Sequence, residues 1–259
     1  MRNLKKFNSQ ESYNAYILTD DAVSPAIMLN DNNKSLHYYK KQDIPLKYKP
    51  LQYISSTKTG GQYIDLGCHL LENTDDIKID IKFNFKGRGK NASGGDPNLS
   101  TLISSQPEIS PWPGFVLRIL SQYYNRINLQ AKWQFTNSVK RGIENKYDSK
   151  YLTHWVSDST YNTFEYPGIY EFTEILDNIP QSQVNNCTCT LFCALDSSNN
   201  PFRFVEADLY YLRFTKGDNT VRDLVPCINK QGIAGLYDKV TKHFYKSQGT
   251  EEFVAGSSI

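Results

Sequence analysis

The chain has 259 residues, 39% of them apolar and 13% aromatic, with 18 Tyr and 13 Phe, which is core-forming, β-favouring material for one large folded domain and excludes a disordered chain. Its 29 basic and 27 acidic side chains are interspersed and leave a net charge of +2, so no field of one sign invites nucleic acid. The start has basic residues without the apolar run of a secretory signal, and no stretch approaches the length of a membrane span, so neither a nucleic-acid partner nor membrane insertion is expected.

Residues 1–47 differ from the rest. Ser9 is a capping residue for a short helix carrying Tyr13, Tyr16 and Ile17 on one face, at spacings of three and four. Residues 26–29 and 36–39 flank a polar run, Asn30-Asp-Asn-Asn-Lys-Ser, that predicts a hairpin. A unit this small is marginal alone and is expected to rest on a partner or on the main domain. The charged, Pro-punctuated run 40–50 reads as a linker.

From Leu51 onward, short apolar runs alternate with turn residues. Strands are expected at 61–67, 77–85, 116–120, 127–135, 168–176, 187–195 and 203–214, with a closing hairpin around 235–238 and 243–245. Residues 77–85 alternate apolar and polar strictly, as a half-exposed strand does. Between strands, 86–97 is Gly-rich and reads as a surface loop; it lacks the Gly-Lys-Ser/Thr ending of a phosphate loop. Many strands without βαβ alternation argue for two packed antiparallel sheets, a sandwich or jelly roll.

The five cysteines supply no disulfide framework. Cys187, Cys189 and Cys193 have spacings that place them on one face of a single strand, as buried thiols. Cys68 and Cys227 do not complete a zinc site, so no metal is expected. Reduced thiols suit assembly in a cytosol.

Tyr53-Ile-Ser-Ser-Thr followed by Gly61-Gln-Tyr-Ile-Asp-Leu-Gly resembles the opening of concanavalin A-like, laminin-G-type jelly-roll domains of gut phages and Bacteroidales. Leu209-Tyr, then Val221-Arg-Asp-Leu-Val-Pro-Cys, Gly235-Leu-Tyr-Asp, Phe244-Tyr and Phe253-Val-Ala-Gly resemble the ending of the same family, with Glu251 at a position where that family has glycine. At the other end, Leu4-Lys-Lys-Phe with Tyr13, Tyr16 and Leu36-His-Tyr-Tyr resembles a leader of crAss-like phage structural proteins. The resemblance implies an all-β chain: a two-sheet antiparallel β-sandwich or jelly roll of concanavalin A-like type over 48–259, behind a small N-terminal α+β docking segment over 1–47.

That pairing implies a non-enzymatic virion protein assembled in the host cytoplasm, a head fibre or capsid decoration protein. Its partners would be capsid or other virion proteins through 1–47, itself as a homotrimer or dimer, and host or mucus glycans. A tail-fibre or receptor-binding protein, and a bacterial glycan-binding protein or glycoside hydrolase of the same fold, remain open. Glucanases of this fold carry carboxylates on one strand, and Glu206 and Asp208 offer two, but Tyr210, Tyr211 and Leu212 stand where a third would follow. They read as ordinary charges on an exposed face. No Gly-x-Ser-x-Gly elbow accompanies His37, His69, His154 or His243, so no catalytic residue is assigned.

Sugars stack on Trp and Tyr. Trp112, flanked by Pro111 and Pro113, together with Trp155 and Tyr161 near the turn-rich stretch 157–162, are the candidate carbohydrate-binding residues, with packing as the competing role of both tryptophans. Trp133, inside a strand, reads as core. No cofactor is expected. A calcium ion is possible by family analogy, although Asp75-Asp76 and Asp218-Asn219 serve equally as turn residues.

Overall fold

The computed structural model describes residues 26–30, 35–39, 47–68, 77–89, 99–105, 114–123, 126–135, 138–140, 144–148, 153–157, 161–166, 170–175 and 188–259. The expected helix at Ser9 and most of the 40–50 run lie outside them. Two strands, β1 (Ala26–Asn30) and β2 (Ser35–Tyr39), pair antiparallel with Ala26 opposite Tyr39.

Three short strands follow: β3 (Lys49–Pro50), β4 (Ile54–Ser55) and β5 (Ile64–Asp65). The long β6 (Ile77–Arg88) leads to β7 (Ser100–Ser104), β8 (Gly114–Tyr123) and β9 (Arg126–Phe135). Next come β10 (Ser138–Lys140), β11 (Glu144–Asp148), β12 (Thr153–Ser157), β13 (Tyr161–Tyr166) and β14 (Tyr170–Ile175). The last third holds β15 (Thr190–Leu191), β16 (Ala194–Leu195), β17 (Pro201–Phe202), β18 (Val205–Lys216), β19 (Asn219–Ile228), β20 (Ala234–Asp238), β21 (Phe244–Lys246) and β22 (Val254–Ala255). The described residues are therefore all-β, as the strand-and-turn pattern predicts.

Among them, one sheet runs β14-β13-β12-β6-β18-β19-β20-β21, with β3, β4 and β22 attached, and a second runs β10-β9-β8-β7-β15-β5, with β11 on β9. The pairings are antiparallel, including the central β6–β18 and β7–β8 pairs. One apolar cluster joins them: Ile79, Ile81, Phe83, Phe85, Leu209, Leu212, Phe214 and Leu236 from the first sheet meet Ile64, Ile103, Phe115, Leu117 and Leu191 from the second. Two antiparallel sheets sharing one core are the arrangement of a β-sandwich.

The alternation in β6 explains its place at the centre. Ile79, Ile81, Phe83 and Phe85 are fully buried, while Lys78 is exposed and Asp80, Lys82 and Asn84 are half-buried. Each such apolar side chain contributes roughly 1.5–3 kcal/mol on leaving water. Between β18 and β19, Lys216 pairs with Asn219; the two-residue loop has Gly217 in the left-handed region at φ 54°, as a tight hairpin requires. Asp218 is part of that turn.

The two ends of the domain close on each other. β22 pairs with β4, Val254 opposite Ser55, Gly256 N–H donates to the Tyr53 carbonyl at 3.0 Å, and Leu51 bridges Ser258. One step further in, Gln248 N–H donates to Tyr63 at 2.9 Å and its side-chain oxygen accepts from Asp65 N–H at 3.0 Å. Gly249 sits so tightly that a Cβ there would overlap the Gly61 carbonyl. Glu251, by contrast, does not have positive φ, so its turn accepts a side chain where glycine was expected.

The Gly235-Leu-Tyr-Asp segment is structural. All of β20 is buried, and Asp238, 0% exposed, accepts from Asp223 N–H (3.0 Å), Val240 N–H (2.9 Å) and the Thr241 hydroxyl (2.7 Å). It ties the turn before β21 to β19.

Three expectations need correction. Residues 187–195 are not one strand: Phe192 takes φ 65° and splits the run, so β15 joins the second sheet while β16 pairs only with β17. Cys189 therefore packs in the main core and Cys193 in a separate small cluster with Leu195 and Phe204; both are buried free thiols, and Cys187 lies outside the described residues. The supposed loop from 86 begins as strand, since β6 continues to Arg88. The end of the supposed linker is also ordered. Lys49–Pro50 pairs with β19, and the Tyr48 ring stacks on Phe244 at 5.3 Å.

Candidate functional site

Two irregularities in one strand pair create the candidate site. Along β18 and β6, Glu206 is opposite Gly87 and Ala207 opposite Phe85, so Lys86 is an extra residue; Leu209 is opposite Phe83 and Tyr211 opposite Lys82, so Tyr210 is extra in turn. Each is a β-bulge, which bends the strand and re-aims the extra side chain. Tyr210 also marks a fork. Before it, Asp208 and Leu209 pair with Ser55 and Ile54 of β4; after it, Leu212 pairs with Leu224 of β19.

Val205, Ala207 and Leu209 face the core, so Glu206, Asp208 and Tyr210 share the outer face. Asp208 is nonetheless only 4% exposed, which corrects its expected place as a surface charge. Lys86 Nζ lies 2.6 Å from Asp208 Oδ1, and the Ser55 hydroxyl donates to the same oxygen. Both contacts fall on Oδ1, leaving Oδ2 open to a further donor. Glu206 is half-buried.

Tyr53, just before β4, packs against Tyr210, their ring centroids 5.2 Å apart at 48°. Lys86 Nζ lies 5.9 Å from the Tyr53 centroid, an ammonium over a ring face worth about 0.5–1 kcal/mol. Gly256 backs the other side, where a Cβ would come within 2.8 Å of the ring. Burial, then Asp208 and Tyr53, push the Tyr210 phenol above its usual pKa, so it is a neutral hydroxyl. Among the described residues neither phenol hydroxyl has a hydrogen-bond partner. The outer face continues with Tyr211 donating to Asp80 at 2.8 Å and Asp223 between Arg213 (3.5 Å) and Lys239 (2.9 Å).

Trp112 lies outside the described residues. Trp155, on β12, is opposite Ile81 of the core-facing row and opposite Phe164 on β13. Tyr161, at the start of β13, is opposite Ile175. Positions 161 and 164 have opposite parity along β13, so 155 and 161 belong to opposite faces of the sheet. The only histidine with a described side chain, His243, packs edge-on against Tyr245 at 4.5 Å.

Tyr53, Lys86 and Tyr210 were missed as site residues, yet one sign of them is in the sequence. Core positions along β18 switch parity, from Val205, Ala207 and Leu209 to Leu212 and Phe214, and that switch announces a bulge at the Tyr210-Tyr211 doublet. No family model matches the chain, and no curated protein matches it.

Proposed function

We propose that the chain is a non-enzymatic virion protein, a head fibre or capsid decoration protein in which residues 1–47 dock to the particle and a concanavalin A-like jelly roll is displayed as a glycan-binding module. The observation that carries the fold half of this reading is the mutual closure of the two resembling segments. Tyr53 to Asp65 at one end pair with Gln248 to Gly256 at the other, so the resembling residues are those that shut a two-sheet domain. Tyr210, Tyr211 and Leu212 stand where a glucanase would carry its third carboxylate, which supports binding over glucanase chemistry. Repeated copies on a symmetric particle would turn weak sugar contacts into avidity.

The test adds purified full-length chain, and a form lacking residues 1–47, to capsids and to tails prepared without the protein. Full-length chain binding capsids, with loss of binding in the shortened form, is the expected result. Binding to tails alone would move the assignment to a tail fibre, and binding to neither would overturn the virion reading.

A further inference from the structure

We infer that the fork at Tyr210 is a binding site for a neutral pyranose sugar, with Tyr210 taking its apolar face and the Asp208–Lys86 pair taking two adjacent hydroxyls. The inference rests on the glycan-binding reading above and assigns the residues that would perform it.

Regular alternation would set Lys86 and Tyr210 by the ladder; as the extra residues of the β6–β18 pair, each is re-aimed. Lys86 reaches Asp208 at 2.6 Å and Tyr210 packs 5.2 Å from Tyr53. β-Bulges are over-represented at sheet edges and next to active sites, where they re-aim a side chain.

The ion pair is costly as architecture. Asp208 is 4% exposed, and a buried carboxylate paired with an ammonium is no more stabilising than apolar packing of the same volume. It is, however, suited to recognition. Asp208 Oδ2 is a spare acceptor, and the Lys86 ammonium, with a side chain 38% exposed, is a spare donor beside it. A pair of vicinal hydroxyls, each both donor and acceptor, complements such a couple.

Chemistry narrows the ligand further. The half-buried Tyr210 ring, with no hydrogen-bond partner for its hydroxyl among the described residues, offers the flat apolar body and polar tip on which a sugar ring rests. An acidic sugar would bring its carboxylate toward Asp208, whose own charge is matched one to one by Lys86, so a neutral sugar fits best.

The test uses the full-length chain and titrates methyl α-mannopyranoside, methyl β-galactopyranoside, methyl β-glucopyranoside and methyl β-glucuronide, read by ligand-observed nuclear magnetic resonance. Binding of at least one neutral glycoside is expected, with affinity falling about tenfold in Tyr210→Ala and in Asp208→Asn, and the glucuronide weaker than its glucose counterpart. Circular dichroism of each variant must match the parent. Tyr210→Phe, which keeps the ring, should keep most of the affinity.

Neutral glycosides bound equally by parent, Tyr210→Ala and Asp208→Asn would overturn this site while leaving glycan binding intact. A glucuronide bound more tightly than the neutral sugars would overturn the neutral assignment. If none of the four binds, the site fails; a mucin-glycan array then decides the parent reading separately, since array binding would keep it and a blank array would remove it.

Discussion

Replacing Lys86 with Met keeps the aliphatic stem and deletes the charge, which isolates what the ammonium does for Asp208. The carboxylate would remain 4% exposed, with only the Ser55 hydroxyl, itself on a residue 6% exposed, donating to it. An uncompensated buried charge costs about 3–5 kcal/mol when its partner is removed, and the half-exposed position of Lys86 reduces this toward about 2–3 kcal/mol, because water reaches part of the site. With a urea m-value of about 2–3 kcal/mol/M for a domain of this size, the unfolding midpoint followed by tryptophan fluorescence should fall by about 1 M. Adding Asp208→Asn removes the stranded charge and keeps an oxygen for Ser55. The double variant should therefore recover most of the loss, a coupling of about 1–3 kcal/mol. A Lys86→Met midpoint equal to the parent's, or a double variant as unstable as the sum of the singles, would refute the picture of a buried, paired carboxylate.

Three further outcomes follow from the packing. Gly249→Ala places a Cβ on the Gly61 carbonyl and should destabilise by at least about 2 kcal/mol in the same urea assay. Asp238→Ala leaves the donors from Asp223, Val240 and Thr241 without their acceptor inside the fold and should cost about 3–5 kcal/mol, with Asp238→Asn losing markedly less. Burial pushes the Cys227 thiol up to about 12 from an ordinary value of 9.0. Its contribution is thus present in full below pH 9 and is lost as the pH climbs toward 12, because the unfolded chain ionises first. Urea midpoints taken across that window should fall with pH, and the fall should be shallower in Cys227→Ala by up to about 1.4 kcal/mol per pH unit.

The parts of the fold legible in the sequence were those set by local periodicity. Ile77 to Phe85 alternates so regularly that β6 could be placed with its buried face assigned, and the Gly-punctuated run through Gly235 marked β20 and the hairpin after it. What stayed hidden depends on partners far along the chain. Phe192 belongs to an apolar run that looks continuous, and only the pairing of β15 with β7 and β16 with β17 shows why it must turn at φ 65°. Asp208 resembles a surface charge until Ser55, 153 positions away, is set against it. Lys86 reads in sequence as the start of a glycine-rich loop, since a bulge is a property of two strands in register and leaves little mark on one of them.

The central claim is that this chain is displayed on a virus particle, and cryo-electron microscopy of the particle, with gold-labelled antibody raised against residues 48–259, tests it most directly. The account predicts label at regularly spaced sites on the head, with density large enough for the two-sheet domain standing outward from the shell. Label confined to tails would contradict the head assignment, and particles carrying none of the chain would contradict the virion reading itself.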